Sequence, residues 1–395
     1  MLVVATVVAL IWANSPWKES YFELWHTHLS ITLGSRSIDL DLQEWVNEAL
    51  MAIFFFVVGL EIKRELVEGE LRDPRKASLP AIAAVGGMLV PALIYVAVNA
   101  GGDGIRGWGI PMATDIAMAI GVVSLLGSRI NPSLKLFLLA LAIVDDVGAI
   151  AVIAIFYSDH IDLEPLGVAA AIVVGLVVLR VLGVRSVPLL VVVGCALWLA
   201  LHEAGVHATI AGVILGLMAP TTPARRRHLI DEEALLDLST VQAAAQTATL
   251  ARESVSIVEW LEHLLHPWTS FVIVPLFALA NAGIPLSSDA LSDAASSRIT
   301  LGVVLGLVVG KTIGVAGFSW IAVRMRIGTL PEGTTWHGLL GVAVLAGIGF
   351  TVSIFVAGLA FEEELGLQNE AKIGILAASL IAAGLGSLAL LRRER

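Results

Sequence analysis

The chain is short of charge. Asp, Glu, Lys and Arg make up only 15% of its 395 residues, against about 25% in a soluble domain, and that shortage excludes an ordinary water-soluble fold. Cysteine is almost missing: Cys195 stands alone, which rules out an internal disulfide and a cysteine-based zinc site. No nucleotide-binding motif occurs between the apolar runs, and no basic stretch of the kind that opens a signal peptide precedes the first of them. Nine histidines are present, but His26/His28 and His263/His266 lack the cysteine or carboxylate company that would specify a metal.

What the chain has in quantity is hydrocarbon. Hydrophobic residues account for 57% of it, and the mean hydropathy is +0.88. The charges sit in short intervals between apolar runs of about 16–24 residues, long enough as helix to cross roughly 30 Å of bilayer. The pattern predicts an all-α polytopic membrane protein, one transmembrane domain over 1–395, with about twelve helices near 2–13, 45–62, 78–99, 108–127, 135–156, 163–182, 187–201, 206–218, 267–282, 299–323, 336–360 and 370–391. The first is short for a crossing: it reads as the remainder of a longer helix, or else the count is eleven. Of the 24 Lys and Arg, 18 fall in alternate connections and at the C-terminus; Lys18, Arg36, Arg106, Arg298 and Lys372 fall in the others, and Lys311 lies mid-span. That asymmetry predicts both termini on the cytoplasmic side. The formal net charge of −10 matters less than this distribution.

Two connections have a character of their own. Residues 29–42 alternate apolar and polar around Gly34-Ser35, the pattern of a β-hairpin. The connection 220–266 is the longest; its 231–265 part mixes acids with Ala and Leu at helical spacing and reads as a surface helix on the cytoplasmic side.

Charges inside apolar runs are the functional signal, because they are costly at membrane depth. Asp145 and Asp146 are adjacent in one run, Asp115 follows Thr114 in another, and Lys311 interrupts a third. Consecutive acids on a helix point about 100° apart, so one lines a cavity while the other pairs with a neighbour, for which Lys311 is the mid-span cation. Pro111 ahead of Asp115 predicts a helix start or kink, and Gly347, Gly349 and Thr351 mark a second interruption seven spans later. Paired interruptions in two halves point to an inverted-repeat transporter. Each feature has a plainer reading beside it: Asp115 as the cap of a half-helix, the acid–lysine pair as a tie between helices, the glycines as close-packing positions. Glu61, Lys63, Arg64 and Glu65 end the second span, either as a solvated face or as a regulatory cluster. Such carboxylates bind protons or a hard cation that prefers oxygen ligands.

Other functions fit less of the pattern. An intramembrane aspartyl protease needs facing rather than consecutive acids, and no Gly-x-Gly-Asp surrounds Asp115, Asp145 or Asp146. A retinal pigment with Lys311 as Schiff base would absorb visible light. A sodium-coupled organic-solute symporter needs a further polar or basic pocket. Of these the symporter is the nearest in mechanism and stays the alternative.

Taken as a set, Asn47–Phe55, Val58–Leu66, Ala113-Thr114-Asp115-Ile116-Ala117, Ala142–Ala149 with its Asp145-Asp146 pair, Gly205–Thr209, His266-Pro267-Trp268, Pro275–Gly283, Gly310-Lys311 and Gly347–Thr351 resemble the NhaA family of sodium/proton antiporters. NhaA is one of the transporters on which the inverted-repeat rule rests. The resemblance implies two crossed discontinuous helices around 111–116 and 347–351 and electrogenic, pH-regulated exchange of Na+ or Li+ for H+, without a cofactor and without nucleic acid. It implies a bacterial inner-membrane homodimer joined through a periplasmic hairpin at 29–42. Asp146 would be the exposed ion and proton carboxylate, Asp145 would pair with Lys311, and together they would hold Na+. Asp115 with Thr114 would compensate the facing helix ends, and Glu61, Glu65 and Glu262 would belong to pH activation. Asn47 and Glu48 fall in a matching motif, with Glu48 standing where some members have Asp, and the connection 220–266 is longer than in the best-known members.

Overall fold

The computed structural model describes residues 1–33, 36–158, 161–184, 186–221 and 256–392. Long apolar helices dominate it. Leu42–Val67, Pro74–Asn99, Pro132–Phe156, Leu163–Val181, Ile257–Asn281, Arg298–Arg324 and Leu365–Leu391 are each long and apolar enough to cross a membrane. Two further crossings are bent pairs, Asp103–Met112 with Ile116–Leu125 (46°) and Trp336–Leu345 with Phe350–Ala360 (44°). Among the described residues this makes up to nine crossings by length and composition. Leu2–Ala13 and Val187–Glu203 are shorter apolar helices, and Ile210–Met218 is shorter still. All twelve expected runs are therefore helical, while three fall below that length.

The chain divides into two compact units. One comprises Met1–Met51, Glu70–Asp159 and Ser270–Arg395, and the other Ala52–Gly69 and His160–Thr269. In the smaller unit Gly59, Gly212 and Gly216 let two helices touch backbone to backbone; a Cβ on Gly59 would meet the Val213 carbonyl at 2.9 Å. Leu60, Ala219, Val258 and Leu261 close one core there, and Leu176, Leu197, Leu201 and Ala211 another. Leu163–Val181 fully buries only Ala169 and Leu176, with Leu166, Ile172 and Val173 half-buried beside them and much of its remaining apolar surface exposed.

The larger unit is organised by small residues too. Gly302, Gly306, Gly310 and Gly314 recur every fourth position on Arg298–Arg324 and face Tyr95, Pro91 and Gly86 of Pro74–Asn99. A side chain at Gly314 would run into the Gly86 carbonyl, so the two backbones lie in direct contact. The hairpin forms as the alternation predicts: His28–Leu33 pairs antiparallel with Arg36–Asp41, Leu29 opposite Leu40 and Ile31 opposite Ile38. Its turn lies outside the described residues. Asp41 closes the hairpin and opens the next helix in a capping box with Glu44, and the Trp45 indole donates to the Leu29 carbonyl at 2.9 Å.

Two expectations need correction. Residues 257–266 do not belong to the connection; they are the first turns of the Ile257–Asn281 helix, which passes through Pro267 and a π-helical stretch at Thr269–Ile273. Proline inside a membrane helix is tolerated because such local adjustments re-satisfy the freed carbonyls. Most of the expected surface helix at 231–265 lies outside the described residues. Lys372, counted above with the connections, is instead a buried residue of the Leu365–Leu391 helix.

Candidate functional site

Each interruption has a local cause. Pro111 has no N–H to give, and Ala113 and Asp115 are extended where the helix ends. At the second break Gly349 is required by space: a Cβ there would press on Ser353 and stand 3.2 Å from the Ala113 carbonyl. The two breaks are stitched together. The Asp115 N–H donates to the Ile348 carbonyl at 2.7 Å, the Thr114 hydroxyl lies 2.8 Å from the Ala346 carbonyl, and the Ser353 hydroxyl donates to Ile110 at 2.8 Å.

Asp115 satisfies both helices that start there. Its Oδ1 accepts from the Met118 N–H at 2.9 Å, capping its own half-helix. Its Oδ2 accepts from the Thr351 N–H at 3.0 Å and the Thr351 hydroxyl at 2.6 Å, capping the other. One negative charge thus faces two positive helix ends. The capping reading and the dipole-compensation reading describe the same contacts.

Asp145 is settled differently. It is fully buried in Pro132–Phe156, and its Oδ2 accepts from the Lys311 ammonium, itself fully buried, and from the Thr114 hydroxyl at 2.7 Å. That hydroxyl has one proton and two acceptors, Asp145 and the Ala346 carbonyl, so it joins the ion pair to the crossing without satisfying both at once. Among the described residues the other oxygen of Asp145 has no hydrogen-bond partner. Asp146, also buried, leaves the helix about 100° further round. Lys311 follows a π-helical stretch, Leu305–Gly310, a distortion frequent at functional positions. The larger unit therefore gathers Thr114, Asp115, Asp145, Lys311, Gly347, Gly349 and Thr351 at one crossing.

The remaining sequence candidates stand elsewhere. Asn47 and Glu48 lie in the π-helical Val46–Leu50. There Asn47 exchanges amide hydrogen bonds with Asn281, whose Nδ2 donates at 2.8 Å, and Gln43 donates to the same Asn281 at 3.0 Å. Asn281 was legible only as part of the Pro275–Gly283 motif. In the smaller unit Arg64 pairs with Glu262 and lies 3.4 Å from Glu65, and Glu61 is within electrostatic reach of all three. Among the described residues no three His, Cys, Asp or Glu converge as a metal-holding group.

Comparison with known proteins follows this geometry. The model of the family described as "Na+/H+ antiporter 1" matches residues 1–390. A Na+/H+ antiporter NhaA of Rhodopirellula baltica is 47% identical over 402 residues, covering 98% of this chain and 90% of its own. Similar relatives, named as the same antiporter, occur in Frankia alni (47%, covering 99% and 85%) and Syntrophobacter fumaroxidans (46%, covering 98% and 86%). Among solved structures, a sodium proton antiporter of Methanocaldococcus jannaschii matches with a TM-score of 0.55 at 16% identity, covering 98% of this chain and 92% of that one. That likeness speaks for the fold alone. With the family model and full-length relatives in agreement, the chain belongs to the Na+/H+ antiporter 1 family, a multi-pass membrane transporter family.

Proposed function

We propose that this chain exchanges cytoplasmic Na+ or Li+ for external H+, electrogenically and under pH control, by alternating access with the two cations competing for Asp145 and Asp146. One observation carries the reading: the buried Asp145, with buried Asp146 next to it in the chain, is bonded to Lys311 and to Thr114 at the break of one of two interrupted helices. Asp146 is the ion and proton carboxylate, Asp145 and its Lys311 partner the group that resets when the ion leaves, and Thr114 and Asp115 the fixed frame. Hard cations prefer such oxygens. No ATP enters the cycle. If more protons than sodium ions move per turn, the membrane potential adds about 2.3 kcal/mol per net charge per 100 mV. Low pH closes the cycle, since protonated carboxylates no longer hold the ion.

Around this core we assign Glu61, Glu65 and Glu262 to pH activation, because Glu65 and Glu262 share Arg64 at the end of a span and Glu61 lies within electrostatic reach of all three. Asn47 and Glu48 support the site from the π-helical stretch. The hairpin joins two copies, both termini are cytoplasmic, and the membrane is the bacterial inner membrane. The test is Na+-dependent dequenching of a ΔpH dye in everted vesicles. Asp146→Asn is expected to abolish it; a wild-type rate would overturn the assignment.

A further inference from the structure

Lys311 is not the only lysine sealed inside the larger unit. Lys372 is 5% exposed, and its ammonium makes one hydrogen bond, to the Oε1 of Gln368 one turn back at 2.8 Å. Among the described residues no carboxylate pairs with it. The nearest in sequence, Glu370, is turned to the Ser297 hydroxyl at 2.5 Å. A buried cation held by a neutral amide is an expensive choice where an apolar side chain would pack freely.

Its position gives the charge a use. Leu365–Leu391 packs against Arg298–Val304, Phe350–Ala360 and Asp103–Met112, so Lys372 stands among the elements that build the crossing. The Thr300 hydroxyl donates to the Glu370 carbonyl at 2.9 Å, which fixes the level of the two helices. Lys311 lies eleven residues beyond Thr300, about 16 Å further along its helix at 1.5 Å per residue. Lys372 is therefore displaced from the Asp145–Lys311 pair toward the Arg298 end, which the charge asymmetry makes the outer one.

We infer that Lys372 is a buried positive charge toward the outer end of the helices packed around the carboxylates, weakening cation binding from that side so that Na+ carried outward is released. Unlike Lys311, it has among the described residues no carboxylate to neutralise it, so its field extends beyond its own helix. The inference rests on the antiporter reading and on the outer placement of the Arg298 and Leu365 ends.

The test compares the KM for Na+ on each face, using full-length protein in right-side-out and everted vesicles. Lys372→Met is expected to lower the outer-face KM about threefold to tenfold, the size of one charge acting over some 15 Å at intermediate dielectric, with the inner-face KM unchanged. Lys372→Arg should behave as wild type. Gln368→Glu, which neutralises the ammonium without removing it, should shift the outer-face KM in the same direction and covers the case of a Met variant that does not fold. The inference fails if the outer-face KM stays put in both Lys372→Met and Gln368→Glu, if both faces shift alike, or if Lys372→Arg matches Lys372→Met. An inactive wild type would instead sink the antiporter reading.

Discussion

Two buried aspartates of the same unit, Asp115 and Asp145, are held in opposite ways. Asp115 accepts from two backbone N–H groups and a hydroxyl, all fixed by helix geometry. Asp145 leans on one side-chain ammonium and one hydroxyl that has another acceptor, and among the described residues its Oδ1 has no hydrogen bond. The first arrangement is complete and has nothing to exchange. The second leaves an oxygen over, which suits the cation binding and release proposed for it, where partners must be given up in turn. Depth and residue type are shared, so the difference lies in what donates.

The comparison is open to attack, beginning where the effect is largest. Asp145→Asn leaves Lys311 buried without its counter-charge, which should cost about 3–5 kcal/mol of stability; the double variant with Lys311→Met should recover most of it while staying inactive. Thermal melting in detergent, read by size-exclusion fluorescence, would show both. Asp115→Asn keeps one capping oxygen but turns an amide toward the Thr351 N–H, and should cost about 1–2 kcal/mol. A loss as large as that of Asp145→Asn would erase the distinction. Thr351→Val removes a single hydroxyl from Asp115 while its N–H remains, so about 1 kcal/mol is expected, with the KM for Na+ close to wild type.

A water-exposed acid sets the lower end of the scale. The Ser30 hydroxyl, followed by the His28 ring, holds the Asp39 carboxyl below its usual range. A depressed carboxylate contributes its stability above the unfolded value, about 4, and loses it as the pH falls through the folded one. The hairpin should therefore keep its pairing down to about pH 4 and loosen only below it, read from the fluorescence of Trp45, whose indole rests on Leu29. Loosening near neutrality would contradict this.

Much of this was legible before any coordinates. Apolar runs placed the spans because hydrocarbon demands length, and Pro111 and the Gly347–Gly349 pair marked the breaks because those residues cannot continue a close-packed helix without consequence. The hairpin followed from alternation. What escaped notice depends on facing rather than on composition. Gly302, Gly306, Gly310 and Gly314 look like scattered glycines until Gly86 and Pro91 are seen against them. Lys372 lies near a span end, where a solvated lysine is equally at home, and nothing in the sequence says that it faces inward. The three π-helical stretches come from one extra residue in a turn, which leaves no mark on hydropathy. Helix Ile257–Asn281 began earlier than expected because Glu262 and its neighbours read as part of a separate surface helix in the connection.

The bonds between Asp115 and Thr351 join residues 236 positions apart. A ribosome adding about 5–20 residues per second takes roughly 12–47 s to travel that distance. The N-terminal half of the crossing is thus synthesised well before the groups that complete it. During that interval the second carboxylate oxygen of Asp115 must be served by water, lipid headgroups or the insertion machinery, and the larger unit is a late product of translation, closed only when the last third of the polypeptide enters the bilayer.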